Sequence, residues 1–260
     1  MSDLETVRYD QQGAVAVITI ARPESMNSFN TAQRRDLLTA FRQAAADESV
    51  RAVVLTGEGR SFSAGADLKA GAGEERPVDQ MLQEEYRPVF ECIAGMRQPV
   101  IAAVGGSAAG IGMSYALACD LLIMAENAFL LSPFSTISLV PDGGLNWFLV
   151  RQLGYRRAFQ LSVEAERISA ERCVELGLAN RTAPAETLVD TAVEWAASLA
   201  ARAPLSLAAT KRAMRHAVAH DWASTFDLEA ALQRTLRESE DCAEGVAAFF
   251  DKRKAEFTGR

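Results

Sequence analysis

The chain has 260 residues, of which 49% are hydrophobic and 23% charged, and its formal net charge is −7. The length and composition are typical of a globular protein with one large core. The negative net charge does not favour binding to nucleic acid, whose backbone is also negative. The sequence shows no membrane-length apolar run and no basic, apolar leader at its start, so we expect a cytoplasmic protein that does not enter a membrane.

Strand and helix patterns alternate over the first half of the chain. The runs AVAVITI (14–20), AVVLTG (52–57) and PVIAAVGG (99–106) are typical of buried strands. Apolar residues at helical spacing predict helices over 31–46 and about 78–97. A small-residue helix follows the third strand, and then DLLIMAE and AFLLSP predict two more short strands. Strands this apolar, each followed by a helix, predict an α/β fold whose sheet is covered.

From about Leu145 the pattern is almost entirely helical. The predicted helices span 145–153, 155–164, 169–176, 186–202, 204–219, 222–236 and 241–255. Because a residue before proline disfavours the helical region, we place a boundary at Ala203–Pro204. It separates a core of residues 1–203 from a C-terminal helical region of residues 204–260. The Gly-, Pro- and charge-rich stretch 71–79 predicts a mobile loop.

Four cysteines are scattered through the chain without CxxC spacing. They are typical of reduced thiols in an intracellular protein, and their spacing predicts neither a disulfide framework nor a metal site. His216 and His220 are four residues apart but lack the intervening glutamate of an HExxH motif.

Two small-residue junctions connect predicted strands to predicted helices: SAGADL (63–68) and GGSAAGIG (105–112). Unpaired N–H groups at helix starts carry positive partial charge, and two of them aimed at one point would form an oxyanion hole. Close packing of helix on sheet explains the same residues equally well. Neither junction has the glycine spacing of a dinucleotide or phosphate loop.

GGSAA (105–109) is one residue short of the GxSxG nucleophile elbow, with Ala109 in the last position. Asp142 and then His216 or His220 follow Ser107 in the order that an α/β-hydrolase requires. A serine hydrolase using Ser107 is therefore an alternative from another mechanistic class. Both histidines lie in a polar helical stretch, where a solvated face also explains them.

One acid, Asp142, lies in the otherwise apolar run LSPFSTISLVPDGGLNW (131–147). Pro-Asp-Gly-Gly is turn chemistry, so the acid has a structural interpretation as well as a chemical one. The residues alone leave both open.

The ordered motifs together resemble the crotonase family of enoyl-CoA hydratases and isomerases. They are NSFN (27–30), GRSFSAGADL (59–68), QPVIAAVGGSAAGIGMSYALACD (98–120), LVPDGG (139–144), RISAERCVELGLANR (167–181) and EGVAAFFDKRKAEF (244–257). The resemblance implies a spiral core of repeated ββα units. It also implies a C-terminal helical region that mediates trimers, often paired into hexamers.

By this resemblance the substrate is an acyl-CoA thioester, and the main-chain N–H groups of Ala66 and Ile111 form the oxyanion hole for its carbonyl. The CoA-binding residues correspond to Arg22, Met26, Ala64, Lys69, Phe249 and Lys252, the last two sometimes reaching a neighbouring subunit. CoA belongs to the substrate, so we expect no cofactor and no metal.

The catalytic acids depart from the hydratase pattern. Where the resemblance places two hydratase glutamates, this chain has Ser114 and Phe134. Asp142 instead matches the acid position of ring-epoxide and enoyl-CoA isomerases, with Phe134, Ser114 and Leu139 expected around the acyl group. A lone carboxylate suits proton transfer between carbons, so we expect an isomerase.

Hydratase-type activity through Asp142 and a non-catalytic CoA-binding homologue remain alternatives. Whether Glu84 or Glu85 enters the site, and which acyl chain is used, stay open.

Overall fold

The computed structural model describes residues 4–71 and 76–260, so part of the loop predicted over 71–79 lies outside the described residues. Within these ranges the strands are β1 (Val7–Gln12), β2 (Val15–Ile20), β3 (Ala52–Gly57), β4 (Ser61–Ser63), β5 (Val100–Val104), β6 (Ser107–Ala109), β7 (Leu121–Ala125), β8 (Phe129–Leu131), β9 (Ile168–Ser169) and β10 (Arg181–Ala183). The helices are α1 (Thr31–Ala46), α2 (Leu68–Gly71), α3 (Val78–Met81), α4 (Arg87–Gly95), α5 (Ile111–Ala118), α6 (Leu145–Leu153), α7 (Tyr155–Glu164), α8 (Ala170–Glu175), α9 (Leu188–Ala200), α10 (Pro204–Ala219), α11 (Trp222–Arg237) and α12 (Glu240–Asp251).

Two sheets are built in alternation along the chain. Within the described residues the larger sheet has the order β1-β2-β3-β5-β7-β10 and the smaller one β4-β6-β8-β9. The pairs β3/β4, β5/β6 and β7/β8 therefore each add one strand to each sheet before the chain turns to a helix or loop. This is the repeated ββα unit, and the predicted fold class is confirmed.

The larger sheet forms the core because its central strands are apolar throughout. All five residues of β5 and the first five of β3 are buried, as expected for parallel strands covered on both faces. The helix α1 is capped by the Asn30 side chain, which accepts a 2.9 Å hydrogen bond from the Gln33 N–H.

Short and polar strands are the elements that the sequence patterns missed. The edge strand β1 has the sequence VRYDQQ and is mostly exposed after Val7. The strands β4, β6, β9 and β10 have only two or three residues, too few to show an alternation.

The helix predicted over about 78–97 is observed over 78–95, with a π-helical turn at Leu82–Tyr86 between α3 and α4. Such turns insert one extra residue and are frequent at functional sites. Here the turn ends at Tyr86, whose side chain is buried.

The helix α10 begins at Pro204, after α9 ends at Ala200. It is attached to the core through Asp120, whose carboxylate accepts 2.7 Å contacts from both Lys211 and Arg215. Because these contacts join α10 to the core, the predicted boundary between a core of residues 1–203 and a C-terminal region of residues 204–260 stays a prediction. No helix among the described residues is both long and apolar enough to cross a membrane.

Candidate active site

The two junctions singled out in the sequence lie against each other at neighbouring strand ends. The strands β4 and β6 pair in parallel, so the residues that follow them emerge at the same edge of the small sheet. A Cβ built on Gly65 would lie 2.9 Å from the carbonyl oxygen of Ala109, and one on Gly110 would lie 3.8 Å from the Gly65 Cα. Glycine at both positions allows this close approach of the two main chains.

Ala66 and Ile111 follow those two glycines. Ala66 pairs with Phe29, whose N–H donates to the Gly65 carbonyl and whose carbonyl accepts from the Asp67 N–H. Ile111 is the first residue of α5, after Gly110, which has a φ of 55°. Within the described part of the chain, neither the Ala66 nor the Ile111 N–H has a hydrogen-bond acceptor. Both are therefore available to donate a hydrogen bond to a ligand.

The acid Asp142 is brought beside Ile111 by the turn that follows it. Gly143 has a φ of 61°, and a Cβ built there would lie 2.9 Å from both the Ile111 Cγ1 and the Ser114 Cβ. The Asp142 carbonyl accepts hydrogen bonds from the Leu145 N–H at 3.0 Å and the Ser114 hydroxyl at 2.9 Å. The turn and the chemical interpretation of Asp142 are therefore compatible.

The Asp142 carboxylate is held in an apolar environment. Its Oδ1 is buried, with no hydrogen-bond partner among the described residues. Burial raises the pKa of Asp142 to about 6, and the main-chain N–H of Asp142 offsets this only in part. A carboxylate whose pKa lies near neutrality can accept and return a proton at working pH.

A cavity of about 820 Å³ opens next to Asp142. Its walls include the aromatic side chains of Tyr86, Phe90, Trp147 and Phe148. Phe90 is held by stacking on Tyr115, with ring centroids 4.3 Å apart. The cavity can therefore accept an apolar or aromatic acyl group with Asp142 at its side.

The three predicted acyl-pocket residues have different positions. Phe134 is buried beside the second junction, 3.7 Å from a Cβ built on Gly110, and it is not among the residues that line the cavity. Ser114 is fully buried behind Asp142 and bonds to its main chain, so it positions the acid and does not line the cavity. Leu139 does not line the cavity either: its N–H donates to the Phe134 carbonyl, and its side chain is 56% exposed.

Four of the predicted CoA-binding residues lie around the first junction. The Ala64 N–H donates to the Met26 carbonyl at 2.9 Å, and Met26 has a left-handed backbone with a φ of 55°. The Arg22 guanidinium bonds to the Ser28 carbonyl at 2.6 Å and to Asp67 at 3.0 Å. Lys69 is exposed on the short helix α2 just beyond.

The other two, Phe249 and Lys252, are not brought to this loop by the single chain. Phe249 is 78% exposed on α12, and Lys252 ends that helix in a left-handed conformation.

Glu84 and Glu85, left open by the sequence, have distinct environments. Glu84 is exposed. Burial would raise the pKa of Glu85, but hydrogen bonds from Arg34 and Arg76 outweigh it and the pKa is lowered. Glu85 is thus an ionised structural partner of Arg34, whose Nε lies 2.6 Å away.

Sequence reasoning missed Arg34 and Tyr86, which join the two halves of the site. The buried Arg34 donates to the Phe29 carbonyl at 3.3 Å and to the Tyr86 hydroxyl at 3.2 Å. No local motif marks them, because the three elements meet only in the folded chain.

The serine-hydrolase arrangement is not formed. The Ser107 hydroxyl lies 2.7 Å from that of Ser61 inside the small sheet, and His216 bonds instead to Ser224 at 2.9 Å. GGSAA fails as an elbow because Ser107 begins strand β6 and does not stand on a turn into a helix. The described residues hold no cluster of three or more metal-ligating side chains.

A sequence model described as enoyl-CoA hydratase/isomerase matches residues 10–260. The chain belongs to this family, the crotonase family. A Rhodobacter capsulatus protein named "Probable enoyl-CoA hydratase" is 42% identical over 98% of both chains. An Escherichia coli protein named "1,2-epoxyphenylacetyl-CoA isomerase" is 35% identical over 99% of this chain and all of that one.

Solved structures of enzymes named enoyl-CoA hydratase have the same fold as this chain. The crystal structure of an enoyl-CoA hydratase from Bacillus anthracis superposes with a TM-score of 0.94 at 31% identity, covering 98% of this chain and 100% of that one. The family resemblance seen in the motifs is confirmed, and the chain is an enzyme of the hydratase/isomerase family.

Proposed function

We propose that this enzyme is an acyl-CoA isomerase in which Asp142 moves a proton between carbons of the acyl chain. The observation that carries the proposal is the position of Asp142, a partly buried acid with a raised pKa that lies beside Ile111. The main-chain N–H groups of Ile111 and Ala66 have no acceptor among the described residues. The residues at the two hydratase acid positions, Ser114 and Phe134, cannot supply a second carboxylate.

In this proposal the thioester carbonyl accepts hydrogen bonds from the Ala66 and Ile111 N–H groups. Asp142 removes a proton from one carbon of a 3-enoyl or ring-containing acyl group. The negative charge spreads onto the thioester oxygen, where the two N–H groups stabilise it. Asp142 then returns the proton to a different carbon, so the double bond or opened ring is rearranged with no net gain or loss of atoms. No cofactor takes part, because CoA is part of the substrate.

Two features support CoA binding at the first junction. The loop carrying Arg22 and Met26 bonds directly to Ala64, and Lys69 stands exposed next to it. Cationic side chains at this point would pair with the phosphates of CoA.

We propose further that the enzyme self-associates as a trimer or a dimer of trimers through the C-terminal helices. Large apolar side chains stand exposed on α11 and α12, including Trp222 at 78% and Phe250 at 75%. Exposed apolar groups of this size favour an interface.

The experiment that tests the function is a turnover screen of 2-enoyl-, 3-enoyl- and arylacetyl-CoAs in D₂O. An isomerase moves the double bond of a 3-enoyl-CoA and exchanges carbon-bound protons without adding water. Asp142→Asn should lower that turnover about 10²- to 10⁴-fold, the contribution of a general acid–base group. An Asp142→Asn protein with full turnover would refute the proposal.

The second candidate is a hydratase that uses Asp142 and water, favoured by the name of the Rhodobacter capsulatus relative. In the same screen it would convert 2-enoyl-CoAs to 3-hydroxyacyl-CoAs and incorporate ¹⁸O from labelled water.

A further inference from the structure

Among the residues that the structure describes, the Tyr86 hydroxyl is a hydrogen-bond donor with no acceptor. Tyr86 is only 2% exposed, and its oxygen accepts a 3.2 Å hydrogen bond from Arg34 Nη1. Since a guanidinium has no acceptor atom, the proton of Tyr86 cannot point back to Arg34. Within the described part of the chain, no other group accepts it. A buried donor left unpaired costs about 1–3 kcal/mol.

The hydroxyl is held rigidly by the groups behind it. Besides Tyr86, Arg34 bonds to the Glu85 carboxylate at 2.6 Å and the Thr31 hydroxyl at 3.0 Å. Its contact with the Phe29 carbonyl connects it to the chain segment that pairs with Ala66. A donor fixed in this way needs no reorganisation when a ligand arrives.

Tyr86 lines the same cavity as Asp142, and Phe90 and Trp147 line it too. Burial raises the pKa of Tyr86 above its ordinary value, although Arg34 lowers it in part and Asp142 raises it again. The hydroxyl therefore keeps its proton at neutral pH. Tyr86 and Asp142 both line the cavity and no hydrogen bond joins them, so a part of the acyl chain in the cavity can contact both.

We propose that Tyr86 determines specificity by donating a hydrogen bond to an oxygen on the acyl chain beyond the thioester carbonyl. The preferred substrates are then acyl-CoAs that carry a hydroxyl, keto or epoxide oxygen. This inference rests on the proposed function, because it places an acyl group in the cavity beside Asp142. Sites built to bond a polar substrate group discriminate strongly against analogues that lack it, since the protein group is then left unpaired.

The test measures binding, which needs no turnover. Dissociation constants are determined by calorimetry for hexanoyl-CoA and for hexanoyl-CoAs with a hydroxyl at C3, C4 or C5, all in an Asp142→Asn background. Adding Tyr86→Phe should weaken at least one hydroxylated ligand about 5- to 20-fold and change hexanoyl-CoA less than twofold. An equal change for all four ligands would overturn the proposal.

Tyr115→Phe is the matched control. Tyr115 lies beside Tyr86, with ring centroids 6.4 Å apart. Its hydroxyl is also buried, but it has no hydrogen-bond partner among the described residues and Tyr115 does not line the cavity. Removing it should leave the ratio of the hydroxylated to the plain ligand unchanged. A Tyr115→Phe effect equal to that of Tyr86→Phe would overturn the assignment to Tyr86.

If Tyr86→Phe does not fold, 3-fluorotyrosine at position 86 keeps the shape of the ring and makes the hydroxyl a stronger donor. The same hydroxylated ligand should then bind more tightly, and an unchanged dissociation constant would overturn the proposal. Loss of turnover in the isomerase screen with this binding selectivity intact would refute the proposed reaction and leave the role of Tyr86 standing.

Discussion

The Ser114 hydroxyl donates a 2.9 Å hydrogen bond to the main-chain carbonyl of Asp142. Ser114 is on the wholly buried helix α5, whose first residue is Ile111. One helix therefore positions both the Ile111 N–H, which has no acceptor among the described residues, and the turn that carries Asp142. The separation between the acid and the proposed oxyanion hole depends on this contact.

Ser114→Ala should lower the free energy of unfolding by about 1 kcal/mol, because one buried hydrogen bond is lost while the Leu145 N–H still bonds to the same carbonyl. It should lower kcat several-fold with KM little changed, since Asp142 would be less well placed. Urea unfolding and steady-state kinetics check both.

The matched control is Ser132→Ala. Ser132 is equally buried, but its hydroxyl has no partner within the described residues. Its removal should leave stability the same or higher. Equal losses from both substitutions would contradict a positioning role for Ser114.

The pH dependence of turnover should report Asp142. Its pKa is raised to about 6 by burial, and the base must be ionised to remove a proton. We expect kcat/KM to fall about tenfold per pH unit below 6 and to level off above it. Rates of 3-enoyl-CoA isomerisation between pH 4.5 and 9 check this, and a profile without an inflection near 6 would refute the assignment.

The ionised side chain of Asp142 should lower the free energy of unfolding at neutral pH. Its folded pKa of about 6 lies above the unfolded value of about 3.9, so the native state binds more protons between these limits and loses stability as pH rises through them. Asp142→Asn should therefore be more stable than the wild type by up to about 3 kcal/mol at pH 8. At pH 4 most of that difference should vanish. Urea unfolding at both pH values measures it, and a difference independent of pH would contradict the raised pKa of Asp142.

Gly143→Ala should disrupt the site. A Cβ there combines a φ of 61° with contacts of 2.9 Å to Ile111 and 3.0 Å to the Phe90 ring. We expect a loss of about 2–4 kcal/mol in unfolding free energy and a marked loss of turnover.

Gly177→Ala is the control that tests backbone strain alone. Gly177 has a φ of 72°, like Gly143 a left-handed value, but no atom lies within 4 Å of a Cβ built there. The substitution should cost about 1–2 kcal/mol and leave turnover intact. If the two substitutions had the same effect, close packing at Gly143 would not be the cause.

The proposed self-association depends on the exposed aromatic side chains of α12. Phe249→Ser together with Phe250→Ser should shift the molecular mass measured by light scattering from trimer or hexamer towards monomer, since both side chains are more than 70% exposed. Val189→Ser on α9, at a side chain 37% exposed, is the control and should leave the mass unchanged. A wild-type monomer would refute the proposed assembly.

The predictable parts of this fold are those that bury long apolar runs. The patterns correctly place the strands β2, β3, β5 and β7 and most of the helices. The strands are continuous apolar runs because both faces are buried, and the helices repeat apolar residues at helical spacing because one face is buried. The strand β4 has three residues and is held by pairing with β6, which no local pattern reveals.

The candidate site also has one part that the sequence predicts and one part that it does not. Glycines next to Ala66 and Ile111 are visible in the sequence because close main-chain approach demands them. The role of Ser114 depends on a contact with a residue 28 positions away, and Tyr86 on Arg34, 52 positions away. Such contacts are set by tertiary packing alone.

The alternating strands have a consequence for how reactions could diverge on this scaffold. In the proposed function, the residues that follow β4 and β6 bind the thioester through main-chain N–H groups, which do not depend on the surrounding side chains. Phe134 lies against the Gly110 junction and Ser114 against Asp142, so positions 114, 134 and 142 form one small neighbourhood. Moving a single carboxylate among these three positions would change which carbon is deprotonated and whether water is held. Point substitutions at these positions could thus change the type of reaction, while the main-chain groups proposed to bind the thioester stay the same.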